Sequence, residues 1–216
     1  MTLPCPLDAV AFDLDGVLTD TARAHFRAWK RLADQLGIPF DETANEALKG
    51  VDRMDSLQLI LGDRLGYDAA KRARLAALKN DWYLQEIAGF GPDELFPGAR
   101  AALEACRAAG LKLALASASR NAPLLLARMG IAELFDAVVD PASVAAGKPA
   151  PDIFLAAAAA VGAVPARMLG VEDSVAGLQA IRAAGMPSLG IGDPATLDAD
   201  RVIASIAGFR LADYRA

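Results

Sequence analysis

Cysteine is nearly missing from this chain: Cys5 and Cys106 are the only two in 216 residues. They stand far apart, which excludes a disulfide framework and a thiolate metal site. A basic excess is missing too. With 22 Lys and Arg against 27 Asp and Glu, the net charge is -5, so the counterion-displacing footprint of a nucleic-acid partner is absent. No apolar run reaches the roughly 18 residues that suggest a membrane span. The N-terminal Met1-Thr2-Leu3-Pro4-Cys5-Pro6 has no basic region followed by an apolar segment, so the expectation is a cytoplasmic protein with no membrane partner. No internal repeat is visible, and the alanine run 155–160 is helix-forming composition.

Apolar residues are plentiful at 54%, enough for a sizeable core, and the length suits one core domain carrying an insertion. From residue 97 onward, helical patterns alternate with short apolar runs. Helices are expected over 97–109, 122–129, 152–161 and 174–184, and strands over 111–116, 137–139, 167–171 and 187–191. A first strand over 10–14 makes five, interleaved with helices as in a parallel sheet covered on both faces. Between Thr19 and Gly91 nothing reads as a strand. Four helices are expected there instead, over 21–36, 41–48, 52–61 and 68–88. The reading is a core of 1–18 and 93–216 with a helical block at 19–92, and hinges near Thr19-Asp20 and Phe90 to Asp93.

The segment Phe12-Asp13-Leu14-Asp15-Gly16 ends an apolar run with two carboxylates and a glycine. In open α/β sheets ligands bind beyond the carboxyl ends of strands, which is where this pair falls. Asp-x-Asp-Gly is also an ordinary turn signal. Other strand ends supply complementary groups: Ser117 and Ser119 after the second strand, Lys148 after the third, Glu172 and Asp173 after the fourth. Asp13, Glu172 and Asp173 are hard oxygen donors of the kind Mg²⁺ prefers. Lys148 and Ser117 suit phosphoryl oxygens.

This set points to phosphoryl transfer. A carboxylate attacking a phosphate meets a repulsion of roughly 4 kcal/mol per charge pair at about 4 Å and an effective dielectric of about 20. Mg²⁺ and Lys148 would offset it. Asp13 as nucleophile would form an acyl phosphate, and Asp15 would serve as general acid and then base. Plainer readings stand beside these. Asp173 also suits a helix cap, Lys148 an exposed loop, Ser117 and Ser119 a strand end with a cap. His25 also suits a solvated or packed role, and Trp29 a core or interdomain contact.

Asp13-x-Asp15-Gly16, Ser117, Lys148-Pro149 and Glu172-Asp173, in this order, resemble the haloacid dehalogenase superfamily of phosphotransferases. The phrases Asp20-Thr21-Ala22, His25-Phe26-Arg27-Ala28-Trp29-Lys30, Leu48-Lys49-Gly50-Val51-Asp52-Arg53 and Lys148-Pro149-Ala150-Pro151-Asp152 are similar to its sugar-phosphate mutases. The resemblance implies an α/β fold, a Rossmann-like parallel sheet core with an inserted all-helical cap. It implies a Mg²⁺-dependent exchange between β-D-glucose 1-phosphate and glucose 6-phosphate through an aspartyl phosphate and a bound bisphosphate. The metal ligands implied are Asp13, the Asp15 carbonyl, Glu172 and Asp173. Ser117 and Lys148 would hold the transferring phosphate, and Arg53, Ser119, Arg120 and Asn121 the distal one. Thr21, His25, Trp29, Lys49, Gly50 and Lys79 would form the hinge and the sugar-facing cap. Arg120 departs from the family's lysine, and the chain after Asp200 matches poorly, which puts a final helix in doubt. The partner expected is a small sugar phosphate, bound by a monomer. A sugar-phosphate phosphatase is the alternative, and a non-enzymatic phosphoacceptor switch is disfavoured by the large helical insertion.

Overall fold

The computed structural model describes residues 6–64 and 66–214; Cys5 lies outside them. Six parallel strands form one sheet in the order β3-β2-β1-β4-β5-β6. They are β1 (Ala9–Phe12), β2 (Lys112–Leu115), β3 (Ala137–Val138), β4 (Met168–Glu172), β5 (Ser188–Ile191) and β6 (Arg201–Ile203). The helices are α1 (Ala22–Gln35), α2 (Glu42–Glu46), α3 (Arg53–Leu61), α4 (Ala69–Glu86), α5 (Ala99–Ala108), α6 (Ala122–Arg128), α7 (Asp152–Val161) and α8 (Val175–Ala183). Among the described residues no helix is long and apolar enough to cross a membrane.

The period of two along each strand assigns the faces of the sheet. In β1, Val10 and Phe12 join Leu113, Leu115, Leu169 and Val171 on one face, packed with α5 residues Leu103 and Cys106. Ala9 and Ala11 join Ala114 and Ala116 on the other, against Phe154 of α7 and Ile181 of α8. Small residues on that second face let the helices approach closely. A Cβ at Gly170 of β4 would lie 2.6 Å from Ile181 Cδ1.

The helical cap expected between the first two strands is present as α1 to α4. Asp52 caps α3 through the backbone N–H groups of Met54 and Asp55, and Asp68 caps α4 through that of Lys71. The two crossings between cap and core touch: Thr19 Oγ1 donates to the Glu94 carbonyl at 2.7 Å, and Thr19 bridges Leu95.

Three expectations are corrected. The strand count is six, because Arg201–Ile203 pairs in parallel with β5. The run is only three residues long and half-buried at the sheet edge, so it has no apolar periodicity to read. The chain beyond it forms 3-10 turns at Ile206–Gly208 and Leu211–Tyr214. The second cap helix is shorter than 41–48, ending at Glu46 with no buried residue of its own, and the buried Leu48 lies in the turn that follows. The cap of α8 is Ser174, whose Oγ accepts from Gly177 N at 3.0 Å, so the Asp173 carboxylate is left for another task.

Candidate active site

Strand register gathers the core residues. Phe12 stands opposite Leu115 on one side and Val171 on the other, so the next residues along, Asp13, Ala116-Ser117 and Glu172, emerge together. Lys148 reaches in from the loop after β3. Its Nζ lies 2.9 Å from Asp13 Oδ1 and 2.7 Å from Glu172 Oε2, in a site closed to solvent. The other Glu172 oxygen accepts from Ser174 Oγ at 2.8 Å and from Ser174 N at 3.1 Å.

Two glycines make this cluster possible. Gly16 turns the chain back beyond Asp15 at φ 76°, and a Cβ there would lie 1.9 Å from Asp173 Oδ2. Gly177, in the first turn of α8, leaves the space Glu172 fills; a Cβ would lie 2.0 Å from Glu172 Cδ. Ligand oxygens of Asp13, Glu172 and Asp173 lie within 4.8 Å of one another.

Negative charge exceeds positive in this pocket. Burial pushes Asp13 up to about 7 against the pull of Lys148, with Glu172 and Asp15 adding to the rise. Burial, then repulsion from Glu172, Asp13 and Asp15, brings Asp173 to about 9. Burial opposes the charge on Lys148, yet Asp13 and Glu172 raise its pKa above the ordinary lysine value. Hard oxygens with one compensating ammonium fit a divalent cation. Asp15 is also raised by burial, and its Oδ1 accepts a hydrogen bond from Thr21 Oγ1. Ser117 is buried beside the cluster, its Oγ accepting from Ser119 N at 3.2 Å.

The cap lays a cationic face over this pocket. Lys79 is buried, with Nζ 2.8 Å from His25 Nδ1 and 4.5 Å from the centre of the Trp29 ring. Burial and the field of Arg53 lower Lys79 to about 7, while burial and Lys79 hold His25 well below its usual range. Arg53, half-buried at the start of α3, has its pKa lowered by burial and then by Arg120 of the core. Cap and core also meet through Asn121 Nδ2, which donates to Asn80 Oδ1 at 2.9 Å. Gly50, at φ 73°, abuts the core at Ser174, where a Cβ would lie 2.6 Å from the serine Oγ.

Of the residues expected from sequence, Asp13, Asp15, Ser117, Lys148, Glu172 and Asp173 come together in the core. Thr21, His25, Arg53, Lys79, Ser119, Arg120 and Asn121 meet across the cap–core boundary. Two are placed elsewhere. Lys49 is exposed and paired with Glu46 at 2.7 Å, one helical turn back. Trp29 is buried beneath Lys79, where it supports the cation and presents no open surface. Tyr83 and Asn80 were not anticipated. Their signal was spacing: Asn80 follows Lys79 directly and Tyr83 lies one turn on, so Lys79 and Tyr83 share a face of α4.

A paired-carboxylate strand end, a buried lysine and a helical cap closing over a parallel sheet define a phosphotransferase class. The family model for haloacid dehalogenase-like hydrolases matches residues 7–185, and the chain belongs to that family. It is 46% identical over 201 residues to the β-phosphoglucomutase of Bacillus subtilis, covering 91% of this chain and 89% of that one. It is 31% identical over 193 residues to a phosphorylated-carbohydrate phosphatase of Thermotoga maritima, covering 83% and 82%. The crystal structure of a β-phosphoglucomutase from Clostridium difficile superposes with a TM-score of 0.93 at 36% identity, over 95% of this chain and 94% of that one.

Proposed function

We propose that the protein is a β-phosphoglucomutase, interconverting β-D-glucose 1-phosphate and glucose 6-phosphate through an aspartyl phosphate. The observation that carries the reading is the opposition of charges across one closed site. Carboxylates dominate the core, whereas Arg53 and Lys79 of the cap lie in one another's field and Arg53 also in that of Arg120, with Asp52 and Asp15 only partly offsetting them. A mutase must hold one phosphate at its nucleophile and another at a separate anion site while the sugar takes two orientations. Arg53 and Arg120, with Ser119 and Asn121, suit the second anion.

Asp13 is the nucleophile in this reading. Its carboxylate oxygen bonds to phosphorus as the bond to the sugar oxygen breaks, and Asp15 delivers a proton to that oxygen. In the reverse half, Asp15 takes the proton from the other sugar hydroxyl as the phosphoryl group leaves Asp13. Lys148 holds Asp13 in place and places a fixed positive charge beside the transferring group. Mg²⁺ held by Asp13, the Asp15 carbonyl, Glu172 and Asp173 would supply the charge that keeps Asp13 ionised and offsets phosphoryl repulsion. The cap, taken as 19–92, keeps water from the acyl phosphate, which would otherwise hydrolyse. Both halves of the site belong to one chain, which supports a monomer, and phosphorylated sugars as substrates support a cytoplasmic location.

A sugar-phosphate phosphatase is the second reading, favoured by the Thermotoga maritima relative. It is less supported, since the likeness to mutases is greater and extends over more of the chain. Supplying β-glucose 1-phosphate with a trace of β-glucose 1,6-bisphosphate separates the two. Glucose 6-phosphate is the expected product; release of inorganic phosphate alone would overturn the mutase.

A further inference from the structure

Asparagine is scarce in this chain, at three residues, Asn45, Asn80 and Asn121, and two of the three bond one another across the cap–core boundary. Neither stands where local structure asks for it. Asn80 occupies the interior of α4, among alanines, leucines and lysines, although asparagine is a poor helix former. Asn121 immediately precedes α6, where an asparagine usually caps the helix with its side-chain oxygen. Here its backbone, at φ -91° and ψ 2°, is not extended, and its side chain makes no cap bond. Its Nδ2 instead donates to Asn80 Oδ1 at 2.9 Å, and its backbone N–H donates to Ser119 Oγ at 3.3 Å. Nδ2 carries two hydrogens. One goes to Asn80, and among the described residues no second acceptor takes the other.

We propose that Asn80 is a positioning residue for the second anion site: by accepting one hydrogen of the Asn121 amide, it fixes the amide plane and leaves the other hydrogen for the non-reacting phosphate of the sugar. The inference rests on the reading of Ser119, Arg120 and Asn121 as that site. The terminal torsion of an asparagine is broad and roughly two-fold, so an unheld Asn121 amide would offer a phosphate its carbonyl oxygen as well as its N–H. Only the N–H attracts an anion. Asn80 belongs to the cap and Asn121 to the core, so the amide is held only while the two are together. The cap thereby serves the anion twice, through Arg53 directly and through Asn80 by way of Asn121. A second bond between the same two helices provides a comparison. Arg128 Nη1 donates to the Ile87 carbonyl at 2.7 Å, seven residues on from each asparagine, and joins no residue of the anion site.

The test compares Asn80→Ala, Asn121→Ala, their double variant and Arg128→Met on two substrates: β-glucose 1-phosphate with bisphosphate, and acetyl phosphate, which carries no second anion. Alanine suits the interior of α4, so Asn80→Ala keeps the fold. We expect it to lower kcat/KM for the sugar phosphate about tenfold, the scale of a weakened hydrogen bond to a charged group. The loss should fall on KM, because the charge of the non-reacting phosphate does not change during transfer. Acetyl phosphate hydrolysis should be unaffected. Asn121→Ala should lose at least as much on the sugar phosphate, and the double variant no more than Asn121→Ala alone. Arg128→Met should leave the ratio of the two activities unchanged. Equal loss on acetyl phosphate, additive losses in the double variant, or a selective loss in Arg128→Met matching that in Asn80→Ala would each overturn the proposal. Each would make the asparagine bond a general contact between cap and core. A loss in Asn121→Ala with a normal KM in Asn80→Ala would overturn the role of Asn80 and leave the anion site standing. An unchanged KM in Asn121→Ala would withdraw that residue from the site and the proposal with it. Should the wild type release only inorganic phosphate, the mutase reading fails, yet the same variants, compared on hydrolysis of β-glucose 1,6-bisphosphate and of acetyl phosphate, still judge Asn80.

Discussion

The core and cap halves of the site are built on opposite electrostatic plans. In the core, Asp13, Asp15, Glu172 and Asp173 surround a single ammonium, and burial raises three of the four carboxyl pKa values. In the cap, burial of Lys79 and Arg53 outweighs the partial compensation from Asp15 and Asp52, and their pKa values fall. Each half is short of the charge its ligand would bring: a divalent cation below, a phosphate above. Buried charge left partly uncompensated costs stability, so the imbalance marks binding sites more clearly than a well-matched ion pair would.

The largest effect should come from the core nucleophile. Asp13→Asn should reduce phosphoenzyme formation below detection, and a labelled acyl phosphate that persists in the variant would remove Asp13 from that role. The two halves should then separate by substrate. Arg53→Ala should lower mutase kcat/KM by about a hundredfold, the scale of a lost charged hydrogen bond, and leave acetyl phosphate hydrolysis nearly intact. Equal losses would dissolve the distinction between a core that reacts and a cap that reads.

Geometry offers a smaller, sharper break. Gly16→Ala should destabilise the fold by about 1–3 kcal/mol, through its positive φ and its clash with Asp173. It should also raise the Mg²⁺ concentration required for half-maximal activity. A metal requirement that does not change would remove Asp173 from the cation site. The smallest effect concerns stability in the cap. Lys79 titrates near 7 in the fold against 10.5 ordinarily, so between those values the unfolded chain binds more protons and stability rises with pH. Lys79→Met should therefore raise Tm at pH 6, with a gain that shrinks toward pH 10, while turnover falls. A gain independent of pH would mean that Lys79 is not held desolvated.

The core half was largely legible from sequence because each group sits at the end of an apolar strand, and parallel strands align their ends. The turn at Asp13-Leu14-Asp15-Gly16 named two acids. The pair Glu172-Asp173 sits at and just beyond the end of β4, and α7 begins and ends where its pattern placed it. The cap half was less legible. Lys79 came only through the family resemblance, and its contacts with His25 and Tyr83 had no counterpart in the sequence reading. Lys49, placed toward the sugar by the sequence reading, turns to Glu46 because that carboxylate is one turn away. β6 went unseen because an edge strand three residues long leaves no periodic trace.

Composition and order of motifs by themselves determined an acidic α/β protein with a helical insertion, a carboxylate pair and the chemistry that pair serves. These are properties of short segments, where local periodicity and residue type suffice. Tertiary structure alone decided which groups share a proton or a charge. It put Thr21 against Asp15, it set His25 against Lys79, and it brought the Asp173 carboxylate beside Asp13 and Glu172 while giving Ser174 to the helix. Those outcomes depend on desolvation and on distances between residues remote in the chain, and neither quantity exists until the sheet and cap close on each other.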